Sequence, residues 1–302
     1  MEARATRRKV KKAGKSGAGR SFFLIAAFIL IFAFVYNTFG NAWFPGSNYL
    51  RLGSNEIMVT FIDVGQGDAI LIRSATHAVL IDAGDHRERQ TVLDYLRSVN
   101  VRRLDYVVVT HPHSDHIGGL STVISRVETA AILMPDVINE TVAFENLLTA
   151  IENNNIPIIT PQTGDVITAG IIHLTVLNPP PGSHTDINNS SVVLRLVHGS
   201  TSFMFTGDVE AAGEQQILAS GLELSSNVLK VSHHGSRTST IQAFLDAVNP
   251  EIAVIPVGEN NRFNHPSAVI IERLQNAGIT IFRTDEIGTI RMVTDGNRIY
   301  KP

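Results

Sequence analysis

The stretch LDYVVVTHPHSDHIGG, Leu104–Gly119, constrains this chain more than any other. Its first half is apolar and β-branched, which reads as a buried strand. The strand runs without a break into Thr110, His111, His113, Asp115 and His116, and then into Gly118 and Gly119. Three of the chain's 11 histidines therefore stand within six consecutive positions. In an extended loop, residues two apart project to the same side, so His111 and His113 face one way. The turn into the next helix brings Asp115 and His116 near the same point. Neutral imidazoles and a carboxylate on a strand-to-helix loop make a site for Zn²⁺ or Mn²⁺. A polar helix cap would account for Ser114 or Asp115 but not for three imidazoles beside them. Cysteine is absent from all 302 residues, so any metal must be held by nitrogen and oxygen.

Short apolar runs and helical spacings alternate on both sides of this segment. IMVTFIDV, AILIRS and HAVLIDAG read as consecutive strands. Val92, Leu93 and Leu96 have helical spacing. Further on, strands are predicted near 131–134, 158–160 and 171–177, with a helix near 142–152 between the first two. A hairpin follows with its turn at His198–Thr201. NVLKVSHHG, IAVIPVG and TIRMVTDG then read as strands separated by the helices TIQAFLDAV and SAVIIERLQNAG. Two runs of strands, each with its helices, predict an α/β fold: a four-layer αββα sandwich of two face-to-face sheets with helices outside.

The N-terminal part is different in kind. Residues 1–20 hold eight of the 25 Lys and Arg residues and one of the 28 Asp and Glu residues, leaving 17 basic against 27 acidic side chains elsewhere. FFLIAAFILIFAFVYNTF, Phe22–Phe39, carries no charge. As a helix it would reach about 27 Å, close to the hydrocarbon thickness of a bilayer. The reading is a basic cytoplasmic segment (1–21), a transmembrane helix (22–39), a linker (40–54) and a folded domain (55–302) outside the cytoplasm, oriented by the positive cluster. A cleavable signal peptide is the alternative, with small residues at Gly40–Ala42, and it too exports the domain.

The pattern H-x-H-x-D-H after a hydrophobic strand resembles the hallmark of the metallo-β-lactamase superfamily of binuclear metal hydrolases. Other pieces follow in the order the superfamily requires: LIDAG with Asp82, FTGD with Asp208, and VSHHG with His233 and His234. FIDVGQGDAILI, KVSHHGS and NRFNHPS are similar to the hydrolase domain of ComEC-type competence proteins, membrane proteins of DNA uptake. The resemblance spans roughly 57–293 and lacks the multi-helix channel of those proteins. It implies a pair of divalent ions, Zn²⁺ or Mn²⁺, with His111 and His113 on one, Asp115 and His116 on the other, and Asp208 bridging them. His234 is expected as the last ligand, with His233 close behind, since neighbours leaving a strand point in opposite directions. Where the superfamily has a further histidine, this chain has Asn188 and Asn189, with His184 as another candidate. Asp63 and Asp68 flank the GQG turn, where they serve either as turn residues or in support of the site. Asp82 is expected to support it too. His265 is expected at a helix start, either as a capping contact or lining the cleft to meet a phosphate or protonate a leaving group. His77, His86, His173 and His198 read as surface or turn residues.

The resemblance implies a membrane-anchored metal-dependent hydrolase, a phosphodiesterase or nuclease acting on DNA in an uptake assembly. The acidic balance of 55–302, with no run of Lys and Arg, keeps two alternatives open: a phospho-ester hydrolase on small or cell-wall substrates such as phosphorylcholine, and a non-catalytic module that binds metal or DNA. A β-lactam substrate is disfavoured by the ComEC-like motifs.

Overall fold

The computed structural model describes residues 51–182 and 186–302, which belong to one compact unit, Leu50–Pro302. The expected membrane segment 22–39 and His184 lie outside the described residues. Among the described residues no helix is long and apolar enough to cross a membrane.

Two sheets stack face to face. The first has eight strands in the order Ile299–Tyr300, Ile290–Thr294, Ile57–Phe61, Ile70–Arg73, Ala78–Ile81, Tyr106–Val108, Ile132–Leu133 and Ile158–Ile159. The second has seven, in the order Thr280–Arg283, Ile252–Ile255, Val228–Lys230, Thr201–Phe205, Val193–His198, Ile172–Asn178 and Val166–Ala169. Alternate residues of each strand face opposite ways, and here both faces are covered. Ile57, Val59 and Phe61 point inward and meet Leu194, Leu196 and Phe205 of the other sheet in a central core. Phe61 and Phe205 cross the gap with ring centroids 6.3 Å apart, a tilted pair worth about 0.5–1.5 kcal/mol beyond its buried area.

The outward residues build two further cores. Leu71, Leu80 and Val107 pack under the helix Arg89–Ser98, whose Val92, Leu93 and Leu96 are buried as their spacing predicts. On the far side Met204, Leu229 and Ala253 pack under Gln242–Val248 and Ala268–Asn276 through Phe244, Leu245, Ile270 and Leu274. The four-layer αββα arrangement is therefore present.

Three details differ from the sequence reading. The closing strand Ile290–Thr294 leaves the second sheet and pairs antiparallel with Ile57–Phe61, so the C-terminal segment completes the first sheet. The segment after His113 forms two short helices, Ser114–Ile117 and Leu120–Ile124, and Asp115 lies inside the first. The break lies at Gly118–Gly119, where the Gly119 N–H donates to Gly84 O. The last long helix begins at Ala268, with Ser267 at its N-cap position, so His265 and Pro266 stand in the preceding loop. Asn261 holds His265 there by accepting from its N–H (3.0 Å) and donating to its carbonyl (2.6 Å).

Ala78–Ile81 and Tyr106–Val108 run parallel, as do Thr201–Phe205, Val228–Lys230 and Ile252–Ile255. Their C-terminal ends gather at one edge of the sandwich, the usual place for a ligand in such sheets. Backbone bonds tie the loops of that edge together. Val192 N donates to Thr110 O (2.8 Å), His233 N to Gly207 O (3.1 Å), and Ala83 N to His116 O (2.8 Å).

Candidate metal centre

Asp208 sits just past the strand Thr201–Phe205 and is buried. Its Oδ2 lies 3.3 Å from His116 Nε2, 3.6 Å from His233 Nε2 and 3.9 Å from His111 Nε2, and its Oδ1 lies 3.5 Å from His234 Nε2. Asp115 Oδ2 is 3.7 Å from His234 Nε2. Ligand atoms of Asp115, His116, Asp208 and His234 all fall within 4.8 Å of one another. His113 Nδ1 approaches His111 Nε2 at 3.0 Å, and His111 Nε2 faces the same Asp208 oxygen as His116 and His233.

The surrounding hydrogen bonds choose which nitrogen each histidine offers. Asp82, fully buried, accepts from Thr110 N (2.9 Å), Thr110 Oγ1 (2.6 Å) and His116 Nδ1 (2.8 Å). With its Nδ1 proton on Asp82, His116 turns Nε2 inward. His234 Nδ1 donates to Pro256 O at 2.8 Å, which leaves its Nε2 for the cluster as well. His116 Nε2, His234 Nε2 and Asp208 Oδ1 are all buried, and none has a hydrogen-bond partner. Buried polar atoms are normally satisfied, and three orphans converging on one point match the donor set of a hard or borderline divalent cation.

Electrostatics point the same way. Burial opposes a charge on His116, yet Asp208, Asp82 and Asp115 outweigh it and hold its pKa well above the ordinary imidazole value. His234 is pushed up to about 10 against the same burial penalty, chiefly by Asp208 and Asp115. Burial and the neighbouring His116 depress His111 instead. The carboxylates thus demand cations, and protons on two rings supply them; a divalent ion binding there would release those protons.

Lys230, the residue that sequence reasoning missed, belongs to this network. It is fully buried, with Nζ 2.6 Å from Asp68 Oδ2, 3.6 Å from Asp208 Oδ1, and donating to Gly207 O at 2.7 Å. Its signal was a single cation inside the apolar run Val228–Val231, where a strand covered on both faces has no room for an unpaired charge. Asp68 is drawn in with it, its Oδ1 standing 3.6 Å from His234 Nδ1.

The other expected residues are placed as follows. Asp63 caps its own turn by accepting from Gly65 N (3.1 Å). Asn189 holds loops together: its Oδ1 accepts from Glu210 N (3.0 Å) and Gly213 N (2.9 Å), and its Nδ2 donates to Asp186 (2.6 Å). Asn188 donates to Glu210 Oε1 at 3.2 Å. Ser191, next along, accepts from Asp208 N at 3.1 Å and lies 3.4 Å from His111 Nδ1. His233 and His234 do not diverge as strand geometry predicts. Both have left-handed backbone, with φ of 49° and 52°, which turns both rings toward Asp208. Asp82 shares that conformation, at φ 55°. Each such non-glycine residue costs on the order of 1–2 kcal/mol, and three of the nine among the described residues stand at this site. His233 Nδ1 faces Glu210 Oε1 at 3.1 Å, and its ring meets His265 edge-on with centroids 5.4 Å apart. Gly67 makes the closest approach of the GQG turn: a methyl there would run into the Asp115 carbonyl, and its φ of 139° suits only glycine.

A buried His/Asp cluster at the strand ends of an αββα sandwich defines a metallo-hydrolase site. Residues 62–259 match the metallo-beta-lactamase superfamily, and the chain belongs to it. Among curated proteins it is 32% identical over 257 residues to ComE operon protein 3 of Bacillus subtilis, covering 79% of this chain and 33% of that protein. It is 33% identical over 239 residues to competence protein ComA of Neisseria gonorrhoeae, covering 78% of this chain and 32% of that protein. The chain thus spans about a third of the length of these relatives. A solved structure of a metallo hydrolase from Ignicoccus hospitalis shares the fold, with a TM-score of 0.54 at 18% identity over 78% of this chain and 98% of the other.

Proposed function

We propose that the chain is a metal-dependent phosphodiesterase that cleaves DNA during its uptake, with its site outside the cytoplasm and residues 22–39 as a membrane anchor. The observation that carries the reading is the convergence of His116 Nε2, His234 Nε2 and Asp208 Oδ1, buried and without partners, beside Asp115. Similarity to a protein named for competence, ComA of Neisseria gonorrhoeae, supports the link to DNA uptake. The uncharged run Phe22–Phe39 behind a basic segment supports the anchor.

Asp115, His116 and His234 would hold one cation and His111 with His113 a second, Asp208 facing both. Two divalent ions, Zn²⁺ or Mn²⁺, would supply a water nucleophile at neutral pH and offset charge on a phosphoryl group. The protein's own share is positioning. Asp82 and Pro256 fix the ring tautomers, and Lys230 fixes the Asp68 and Asp208 carboxylates. Asp115 stays ionised at neutral pH, because His116 and His234 outweigh the burial that opposes its charge. His265 is neutral there, its pKa lowered to about 4 by burial and by His233 and His234. It therefore meets a phosphate or leaving group by hydrogen bonding, not as a standing imidazolium.

A metal-by-substrate screen tests the reading. With Mn²⁺ or Zn²⁺ the full chain is expected to cut DNA oligonucleotides and the simple diester bis(4-nitrophenyl) phosphate, and to stop on chelation. Release of phosphorylcholine from its esters, with DNA left intact, would replace the nuclease reading with the phospho-ester alternative. Metal binding without any hydrolysis would leave the non-catalytic module.

A further inference from the structure

At the mouth of the site, arginines and carboxylates from distant segments stand around one exposed ring. Phe263 keeps 48% of its surface open. Its ring stacks on His265, with centroids 5.8 Å apart and planes at 24°, and His265 in turn meets His233. The Arg262 guanidinium lies over the Phe263 ring, 4.9 Å from its centroid, as a cation–π partner that extends the flat surface. Phe263 also divides two depressions. One, of about 520 Å³, is lined by Arg87 and Arg262 together with Asp85, Glu88 and Asp115, the last of which belongs to the metal centre. The other, of about 440 Å³, is lined by Arg237 and His265.

The loop bearing the ring is stapled in place. Asn261 donates to Gly258 O (2.9 Å) and His265 O (2.6 Å), and accepts from Phe263 N (3.2 Å) and His265 N (3.0 Å). Core packing does not explain a phenylalanine held out to solvent on a stiff loop. An aromatic face flanked by guanidinium groups is, however, what binds an unpaired nucleobase between two phosphates. We infer that Phe263, backed by His265 and flanked by Arg237 and Arg262, is a base-stacking subsite that grips single-stranded DNA beside the metal centre. A duplex keeps its bases stacked on one another and cannot offer one to the ring. The inference rests on the phosphodiesterase reading and names the form of its substrate.

Binding of fluorescein-labelled oligothymidylate to the full chain in EDTA, where no cleavage occurs, provides the test. The comparison strands are an abasic deoxyribose-phosphate chain of equal length and a blunt duplex. Stacking on an aromatic side chain is expected to make oligothymidylate bind about tenfold tighter than the abasic chain. Phe263→Ala should abolish that difference by weakening oligothymidylate alone, and Phe263→Trp should preserve it. Because the side chain is exposed, both variants are expected to fold, which circular dichroism checks. Equal affinity for the two single strands, an unchanged Phe263→Ala, tighter binding of the duplex, or no binding of any strand would each overturn the inference. Hydrolysis of bis(4-nitrophenyl) phosphate by the metal-loaded wild type reads the phosphodiesterase proposal separately. Its failure with base-dependent binding intact would sink that proposal and leave the subsite standing.

Discussion

Asp208→Ala is expected to lower divalent-metal affinity by more than about 100-fold and to abolish hydrolysis. Changing residues that merely orient metal ligands costs about 10- to 100-fold in affinity, and Asp208 stands in the middle of the cluster itself. Its two oxygens face His111, His116, His233 and His234 at 3.3–3.9 Å. Without that carboxylate the cluster loses its central anion, and the imidazoles around it repel one another once protonated. Asp208→Asn keeps shape and one oxygen but removes the charge, so it should fall between wild type and alanine. Calorimetric titration with Mn²⁺ and metal content after dialysis read both variants. Equal metal content in wild type and Asp208→Ala would show that the metal, if any, sits elsewhere.

Lys230→Met is expected to cost about 3–5 kcal/mol of stability, the usual penalty for deleting one partner of a buried ion pair. Methionine fills the space of the stem, so the loss is mainly electrostatic. Asp68, buried with Lys230 Nζ 2.6 Å from its Oδ2, would lose its nearest cation, and Gly207 O would lose its closest donor and keep the one from His233 N. Acid should narrow the difference. Asp208 is held well below the ordinary carboxylate range by His234 and His116, despite burial. A depressed carboxylate contributes stability that is present above its unfolded pKa and is lost as pH falls through the folded value. Below about pH 4 the unfolded chain's aspartate takes up a proton that folded Asp208 still refuses, so this contribution shrinks as the acid deepens. Urea unfolding in EDTA at neutral pH measures the effect, and coincident midpoints for wild type and Lys230→Met would contradict it.

Much of this was legible because the strands are covered on both faces. Continuous apolar runs such as Val107–Val109 marked where strands end, and the chemistry follows at once in Thr110–His116. Asp82 and Asp208 could be picked out for the same reason, each standing just beyond an apolar strand. What sequence left hidden depends on long-range pairing or on unusual backbone. The register that returns Ile290–Thr294 to Ile57–Phe61 bridges more than 200 residues, and no local pattern encodes it. Left-handed backbone at His233 and His234 defeats the alternation rule that would set them apart. The lone cation Lys230 inside the apolar run Val228–Val231 signals a buried pair, but which carboxylates answer it, Asp68 and Asp208, depends on long-range packing. The arginines near Phe263 come from positions 87, 237 and 262, too far apart to register as a basic run.

The central claim is that imidazole nitrogens and carboxylates from separate loops hold a divalent cation together. X-ray absorption at the zinc edge of the zinc-loaded full chain tests it most directly. The account predicts a first shell of nitrogen and oxygen at about 2.0–2.2 Å, with the outer-shell scattering of at least two imidazoles. A shell of oxygen alone with no imidazole signature, or a chain that retains no zinc after dialysis, would contradict it.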